Sequence, residues 1–215
     1  MKFASRTEAG KRLGEALLSH AFPHPLVLAL PRGGVPVAGE VARILNAPLD
    51  TLVVRKIGAP LNPEWAVGAL APHGVVLIDD DALKSASISR ASVDGVIEKE
   101  RAELNRRVDT YKSGTYSAGY VPETLVIVDD GVANGYTARA ALLSARKKYP
   151  KTRIIFASPV CLLGSFDLVS ADADEVVCLD LPEGLYAVGQ AYEEFVEVSD
   201  EEVRALLQSA SDSQR

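Results

Sequence analysis

Residues 125–137 read LVIVDDGVANGYT. An aliphatic run, Leu125 to Val128, meets two adjacent carboxylates, Asp129 and Asp130. A loop follows: Gly131, Val132, Ala133, Asn134, Gly135, Tyr136 and Thr137, and residues 138–148 then show a helical pattern. An uninterrupted apolar run is what a strand buried on both faces looks like, and such strands belong to parallel sheets. Glycines allow tight turns and close approach of the backbone to a ligand. The amides of a helix N-terminus, with a hydroxyl such as that of Thr137, make an anion site. Residues 131–137 therefore read as a phosphate cradle. Two carboxylates beside a phosphate site would repel it unless they serve another group: a sugar diol, or Mg²⁺ held directly or through water. Phosphate beside a diol describes a ribose phosphate. The plainer alternative is an ordinary turn with acids placed at a helix start, which the helix dipole favours.

Other short aliphatic runs surround this one. They lie at residues 26–30 (LVLAL), 51–54 (TLVV), 75–78 (VVLI), 153–157 (RIIFA) and 175–179 (EVVCL). Helical patterns fall at residues 5–19, 35–45, 136–148 and 199–207. The alternation predicts an α/β fold: a parallel central sheet flanked by helices in a Rossmann-like three-layer arrangement. One segment breaks the rhythm. Residues 92–112 form a long polar stretch with a thin apolar stripe (Val93, Ile97, Leu104, Val108), an i,i+4 pair of Glu103 with Arg107, and a stop at Ser113-Gly114. They read as a helix inserted before the next strand and packed lightly over the sheet edge. It is either a solvated helix or part of a lid. The tail, residues 209–215, reads as frayed.

Two more strand ends suit an anion. Residues 26–30 exit into Pro31-Arg32-Gly33-Gly34, where Arg32 offers a planar fork to phosphate and the glycines expose backbone amides. Residues 52–54 exit into Arg55-Lys56, expected on the C-terminal rim of the sheet, where ligands of open α/β sheets bind. Each is a solvated loop cation if taken alone; three such loops together argue for a small polyanion.

The charge is distributed unevenly. Residues 1–153 hold 21 Lys and Arg against 16 Asp and Glu, a balance of +5, whereas residues 154–215 hold 2 against 13, a balance of −11. The basic excess is small and scattered, which argues against a nucleic-acid binder. The acidic quarter is expected to contribute nothing to phosphate binding. Two cysteines (Cys161, Cys178) and three histidines, without a CxxC, exclude a disulfide framework and make structural zinc a poor fit. The start has no apolar signal-peptide core, and no apolar run reaches the length of a membrane helix, so the expected location is the cytoplasm. Asp79-Asp80-Asp81 reads as a helix or turn start rather than a metal site.

The stretch LVIVDDGVANGYT resembles the phosphoribosyl-diphosphate (PRPP) signature of type I phosphoribosyltransferases. That resemblance covers most of the chain. It implies one domain over residues 1–215, with a lid or insertion at about 60–120 and a C-terminal hood at about 158–215 that selects the acceptor. It implies that Asp129 and Asp130 contact the ribose hydroxyls and that Gly131, Val132, Ala133, Asn134, Gly135, Tyr136 and Thr137 hold the 5′-phosphate. Arg32, Gly33 and Gly34 match the pyrophosphate loop, and Arg55 and Lys56 the basic site after the second strand. Mg²⁺ is the implied cofactor, carried by PRPP. Asn134 stands where the family most often has Thr, and it can still cap a helix. Residues 55–70 and 181–195 are similar to a subfamily whose acceptor is not established. In the second of these, Tyr186, Tyr192 or Phe195 would stack on a base, or else fill the core of a small cap.

The implied function is transfer of phosphoribose from PRPP to a nitrogenous acceptor, a nucleobase by preference, with Asp129, Asp130, Arg32 and Lys56 at the reacting centre. The alternative is a non-catalytic PRPP sensor on the same fold. Membrane and nucleic acid are not expected partners, and assembly with further copies of the chain stays open. Other folds with phosphate sites are excluded: there is no lysine after Lys151 for a receiver domain, no GxGxxG and no Walker loop.

Overall fold

The structure is a computed structural model and describes residues 2–111 and 120–212. Five strands form a wholly parallel sheet: β1 (Pro25–Ala29), β2 (Leu49–Thr51), β6 (Thr124–Val128), β7 (Arg153–Val160) and β8 (Glu175–Asp180), in the order β2-β1-β6-β7-β8. β1 and β6 lie in register from Pro25 with Thr124 to Ala29 with Val128. The chain builds outward from β1 in one direction and from β6 in the other. The strand order therefore reverses between β1 and β6, where the loops leaving two neighbouring strands part and leave a crevice.

Both faces of the sheet are covered, which accounts for the continuous apolar runs. Val27, Ala29, Val126 and Val128 join one buried cluster with α1 (Arg6–Leu17) and α2 (Gly34–Leu45). Leu26, Leu28, Leu125 and Ile127 join another with α5 (Tyr136–Lys148). The predicted helices at 5–19, 35–45 and 136–148 correspond to these three. The predicted helix at 199–207 corresponds to α7 (Asp200–Asp212). Ser199 caps α7 reciprocally: its Oγ accepts from the Glu202 N–H at 3.2 Å and its own N–H donates to the Glu202 carboxylate at 2.7 Å. The tail is accordingly helical through Asp212 rather than frayed from 209.

The middle of the chain departs from the expected plan. The strand placed at 51–54 is β2, which ends at Thr51; Leu52 to Val54 are buried connectors. Arg55 and Lys56 open β3 (Arg55–Ala59) instead of a rim loop. β3, β4 (Asn62–Ala71) and β5 (Val75–Ile78) form a separate antiparallel sheet. The run at 75–78 is thus a strand, but not of the parallel sheet. A short apolar run looks alike in either setting, so periodicity could not separate the two. Asp79 caps α3 (Asp80–Ser85), accepting from the Ala82 N–H at 2.8 Å, so the three aspartates stand at a helix start as expected. The polar helix is α4 (Arg90–Thr110); it buries only Val93, Ile97 and Leu104, and lies against β3 and β4. The stop expected at Ser113-Gly114 lies outside the described residues.

After β8 the chain forms a small cap containing a 3-10 helix, Val188–Ala191. Ala191 and Tyr192 pack with Phe3, Val160 and Leu162. The Phe3 N–H donates to Ala191 O and its carbonyl accepts from the Glu193 N–H, each at 2.8 Å, which ties the cap to the start of the chain. Residues 158–180 belong largely to the central sheet and its connection, so the cap is confined to the chain beyond Asp180. Among the described residues no helix is long and apolar enough to cross a membrane.

Candidate active site

The site is assembled where β1 and β6 diverge. β1 leads through Leu30 and Pro31 to Arg32 and Gly33, and α2 begins at Gly34. The Leu30 N–H donates to Val128 O at 2.9 Å, so the two exits start side by side. The Pro31–Arg32 peptide is cis. Two sequence motifs nearly a hundred residues apart are in contact here. A Cβ on Gly34 would lie 2.8 Å from Val128 O and 3.0 Å from Asp129 Cα; one on Gly33 would lie 2.1 Å from Asp130 Oδ2. Glycine is required at both by close approach.

The loop after β6 encloses a concavity of about 130 Å³ lined by Asp129, Gly131, Val132, Ala133, Asn134, Gly135, Thr137 and Ala138. A single water needs only about 10–15 Å³, so a group the size of phosphate has room. Gly135 adopts a left-handed φ of 81° and leads into α5. Asn134 Oδ1 accepts from the Tyr136 N–H at 3.3 Å, an Asx turn rather than the expected cap: the N-cap of α5 is Gly135, which has no side-chain cap. Two loop members face elsewhere. Val132 is pinned to the end of β7: its N–H donates to Val160 O at 2.9 Å and its carbonyl accepts from the Leu162 N–H at 2.8 Å. The Tyr136 hydroxyl bonds the Asp79 carboxylate, and burial with that partner pushes it up to about 12. The amides of Val132 and Tyr136 are therefore already engaged.

The two aspartates differ in their surroundings. Burial holds the Asp129 carboxyl well above the usual carboxylate range, and the charge of Asp130 pushes the same way; the Asp130 N–H, donated to Asp129 Oδ1 at 2.9 Å, and the nearby Arg6 oppose it. Asp130 is paired. Arg6 Nε donates to its Oδ2 at 2.7 Å, with both side chains largely removed from solvent. Arg6 is the first residue of α1, and its guanidinium also lies 3.8 Å above the Phe195 ring. The Tyr192 hydroxyl donates to the Asp130 carbonyl at 2.5 Å. Tyr192 is buried against Phe3 and Phe195. Tyr192 thus supports the aspartate loop from behind instead of presenting a free stacking face, whereas Tyr186 is exposed.

The predicted cations each meet a carboxylate. Arg32 Nη2 bonds Glu197, and its Nη1 lies 3.7 Å from Asp200. Asp200 also accepts from the Tyr111 hydroxyl at 2.5 Å and lies 3.3 Å from Arg106, so α4, α7 and the Arg32 loop meet at one carboxylate. The acidic quarter, expected to contribute nothing to phosphate binding, touches Arg32 directly. Arg55 pairs with Glu100 at 2.7 Å, and Lys56 with Glu64 at 3.4 Å. Those contacts run to α4 and β4, not to the aspartates. The structure thus brings together Arg32, Gly33, Gly34, Asp129, Asp130 and the 131–137 loop, and sets Arg55 and Lys56 on the adjoining hairpin sheet. Trp65 lies on β4 beside Pro60, Leu61 and Ile88, partly exposed. Cys161 and Cys178 are free thiols, the first buried.

Sequence reasoning missed Arg6, Glu197 and Asp200. Arg6 carried one signal: a cation directly after the capping Ser5 opposes the helix dipole, a placement that calls for a partner elsewhere.

This arrangement defines a phosphoribosyl-transfer fold, and comparison with known families agrees. Residues 6–182 match the model of the phosphoribosyl transferase domain, and the chain belongs to that family. It is 43% identical over 211 residues to "Putative phosphoribosyl transferase" proteins of two Mycobacterium tuberculosis strains, CDC 1551 / Oshkosh and H37Rv. The match covers 97% of this chain and 47% of theirs, so the chain spans about half the length of these curated relatives. A protein of Thermus thermophilus known from its crystal structure, TT1426, superposes with a TM-score of 0.76 at 38% identity, covering 97% of this chain and 99% of that one.

Proposed function

We propose that the chain binds PRPP with Mg²⁺ and transfers its phosphoribosyl group to a nitrogenous acceptor, a nucleobase by preference, releasing pyrophosphate. One observation carries this reading: the Arg32-Gly33-Gly34 turn is packed directly against Asp129 and Asp130, beside a concavity sized for phosphate. A ligand spanning these features needs a phosphate at one end, a diol in the middle and further phosphate at the other.

In that reading the 131–137 loop holds the 5′-phosphate, and Asp129 and Asp130 accept from the ribose hydroxyls. Arg32 faces the pyrophosphate. As the bond from C1 to the pyrophosphate oxygen breaks and a C1–N bond forms, positive charge grows on the ribose ring and negative charge on the leaving group. The protein's share is orientation and charge stabilisation. Among the described residues no cluster of three or more His, Cys, Asp or Glu could cage a metal. That suits Mg²⁺, which takes one or two carboxylates together with substrate phosphates; Asp129 and Asp130 are the carboxylates at hand. When bound, Mg²⁺ supplies neutralisation of the pyrophosphate charge. Lys56 adds cationic charge from the hairpin sheet, and the cap after Asp180 borders the acceptor side.

Calorimetry with PRPP and Mg²⁺ tests the reading. Binding is expected, and its absence at millimolar ligand would overturn it. Pyrophosphate release across a panel of purines, pyrimidines and other amines then names the acceptor. Binding with no release across that panel would favour a PRPP sensor.

A further inference from the structure

We infer that Arg6 is a positioning residue for phosphoribosyl transfer, holding Asp130 in the one orientation that leaves it available to the ribose diol; this rests on the PRPP reading above. Arg6 is fixed from three sides. Its Nε donates to Asp130 Oδ2 at 2.7 Å, its Nη1 donates to Val196 O at 2.6 Å, and its plane stacks 3.8 Å above the Phe195 ring. The Arg6 and Asp130 side chains keep only 11% and 14% of their exposure, so solvent screens the pair little. Helix α1 does not favour a cation at its first residue. The contacts with Asp130, Val196 and Phe195 hold it there against that field.

The pairing matters because of what surrounds it. Two adjacent carboxylates beside a polyanion repel each other and the ligand. Arg6 cancels one of those charges without itself lining the concavity of Asp129, residues 131–135, Thr137 and Ala138. It engages Oδ2 of Asp130, and the inference gives the diol the other carboxylate oxygen. The space is closed on the far side by Gly33, whose missing Cβ would lie 2.1 Å from that Oδ2 and 3.2 Å from Arg6 Nη2. Carboxylate, guanidinium and pyrophosphate loop are thus packed as one unit. Arg6 acts through Asp130, so its effect falls on ligands that carry the diol.

The test is calorimetry of the unaltered chain, Arg6→Gln and Arg6→Lys, each with PRPP and, separately, with pyrophosphate, always with Mg²⁺. Arg6→Gln is expected to weaken PRPP binding by roughly tenfold or more, the scale of one lost charge-assisted hydrogen bond. Pyrophosphate binding should fall less than PRPP binding, since pyrophosphate carries no diol for Asp130 to meet. Arg6→Lys should recover part of the PRPP affinity, since it restores the charge but not the planar fork. Equal losses for both ligands would mean that Arg6 only supports the packing, and would overturn the inference; so would unchanged PRPP affinity. Should Arg6→Gln fail to fold, the same comparison on Arg6→Lys decides. Failure of the unaltered chain to bind PRPP would instead bring down the functional reading on which the inference stands.

Discussion

Gly33 and Asp130 are in direct apposition: a Cβ on the glycine would stand 2.1 Å from the carboxylate oxygen Oδ2. Gly34 next to it meets backbone, Val128 O at 2.8 Å and Asp129 Cα at 3.0 Å. The two glycines should therefore respond differently to alanine. Asp130 can shift while staying paired with Arg6, so Gly33→Ala should cost less stability than Gly34→Ala while moving the carboxylate and weakening PRPP binding by about tenfold or more. Backbone in a sheet cannot yield, so Gly34→Ala should destabilise by roughly 1–3 kcal/mol. Urea denaturation beside calorimetry separates the cases; equal destabilisation by both would contradict the assignment.

Asp129 makes stability depend on pH. Its folded-state carboxyl is raised above the ordinary 3.8, chiefly by burial and then by the charge of Asp130. Between those values the folded protein holds a proton that the unfolded chain has released. Stability from this group therefore falls as pH climbs from 3.8 through the raised value. Asp129→Asn removes the ionisation, so its stability relative to the unaltered chain should rise over the same interval. Denaturation midpoints measured from pH 3.8 upward check this. A fall in the stability of Asp129→Asn relative to the unaltered chain as pH rises would refute it. The same variant should lose PRPP affinity, since an amide accepts from the diol less well than a carboxylate.

How much could be read from the sequence depends on where the information is stored. The parallel strands, their helices and the loop of residues 129–137 were legible because a strand buried on both faces must be apolar throughout, and a close approach must be glycine. The antiparallel sheet was not: 75–78 is apolar like its parallel counterparts, and β4 begins with the exposed residues Asn62, Pro63 and Glu64. The partners of the site residues were also hidden. Arg6 meets Asp130 across 124 positions and Arg32 meets Glu197 across 165, and no local pattern encodes such pairs. The charge split at residue 154 was visible, but not that its acidic side folds back onto the basic loop.

Tyr192 is the cap's link to the aspartate loop. Its hydroxyl donates to the Asp130 carbonyl at 2.5 Å while its ring is buried with Phe3 and Phe195. Tyr192→Phe keeps the ring and deletes the donor, leaving a partly buried carbonyl without it. A loss of about 1–3 kcal/mol is expected. Thermal unfolding checks it, and a variant as stable as the unaltered chain would mean that ring packing and the Phe3 backbone bonds hold the cap without the hydroxyl.

Glu197 occupies the guanidinium of Arg32 that the functional reading gives to pyrophosphate. The acid is 80% exposed, so the pair adds little to stability. It matters as a competitor: an incoming diphosphate must displace it. Glu197→Gln should leave the unfolding midpoint nearly unchanged and tighten pyrophosphate binding by roughly two- to fivefold, a gain below about 1 kcal/mol and in keeping with a surface pair. Arg32→Ala should act in the opposite sense and weaken pyrophosphate by about tenfold or more. Asp200 does not confuse the result, because Tyr111 and Arg106 hold it independently of Glu197. Weaker pyrophosphate binding by Glu197→Gln would mean that the acid orients Arg32 for its ligand instead of competing with it.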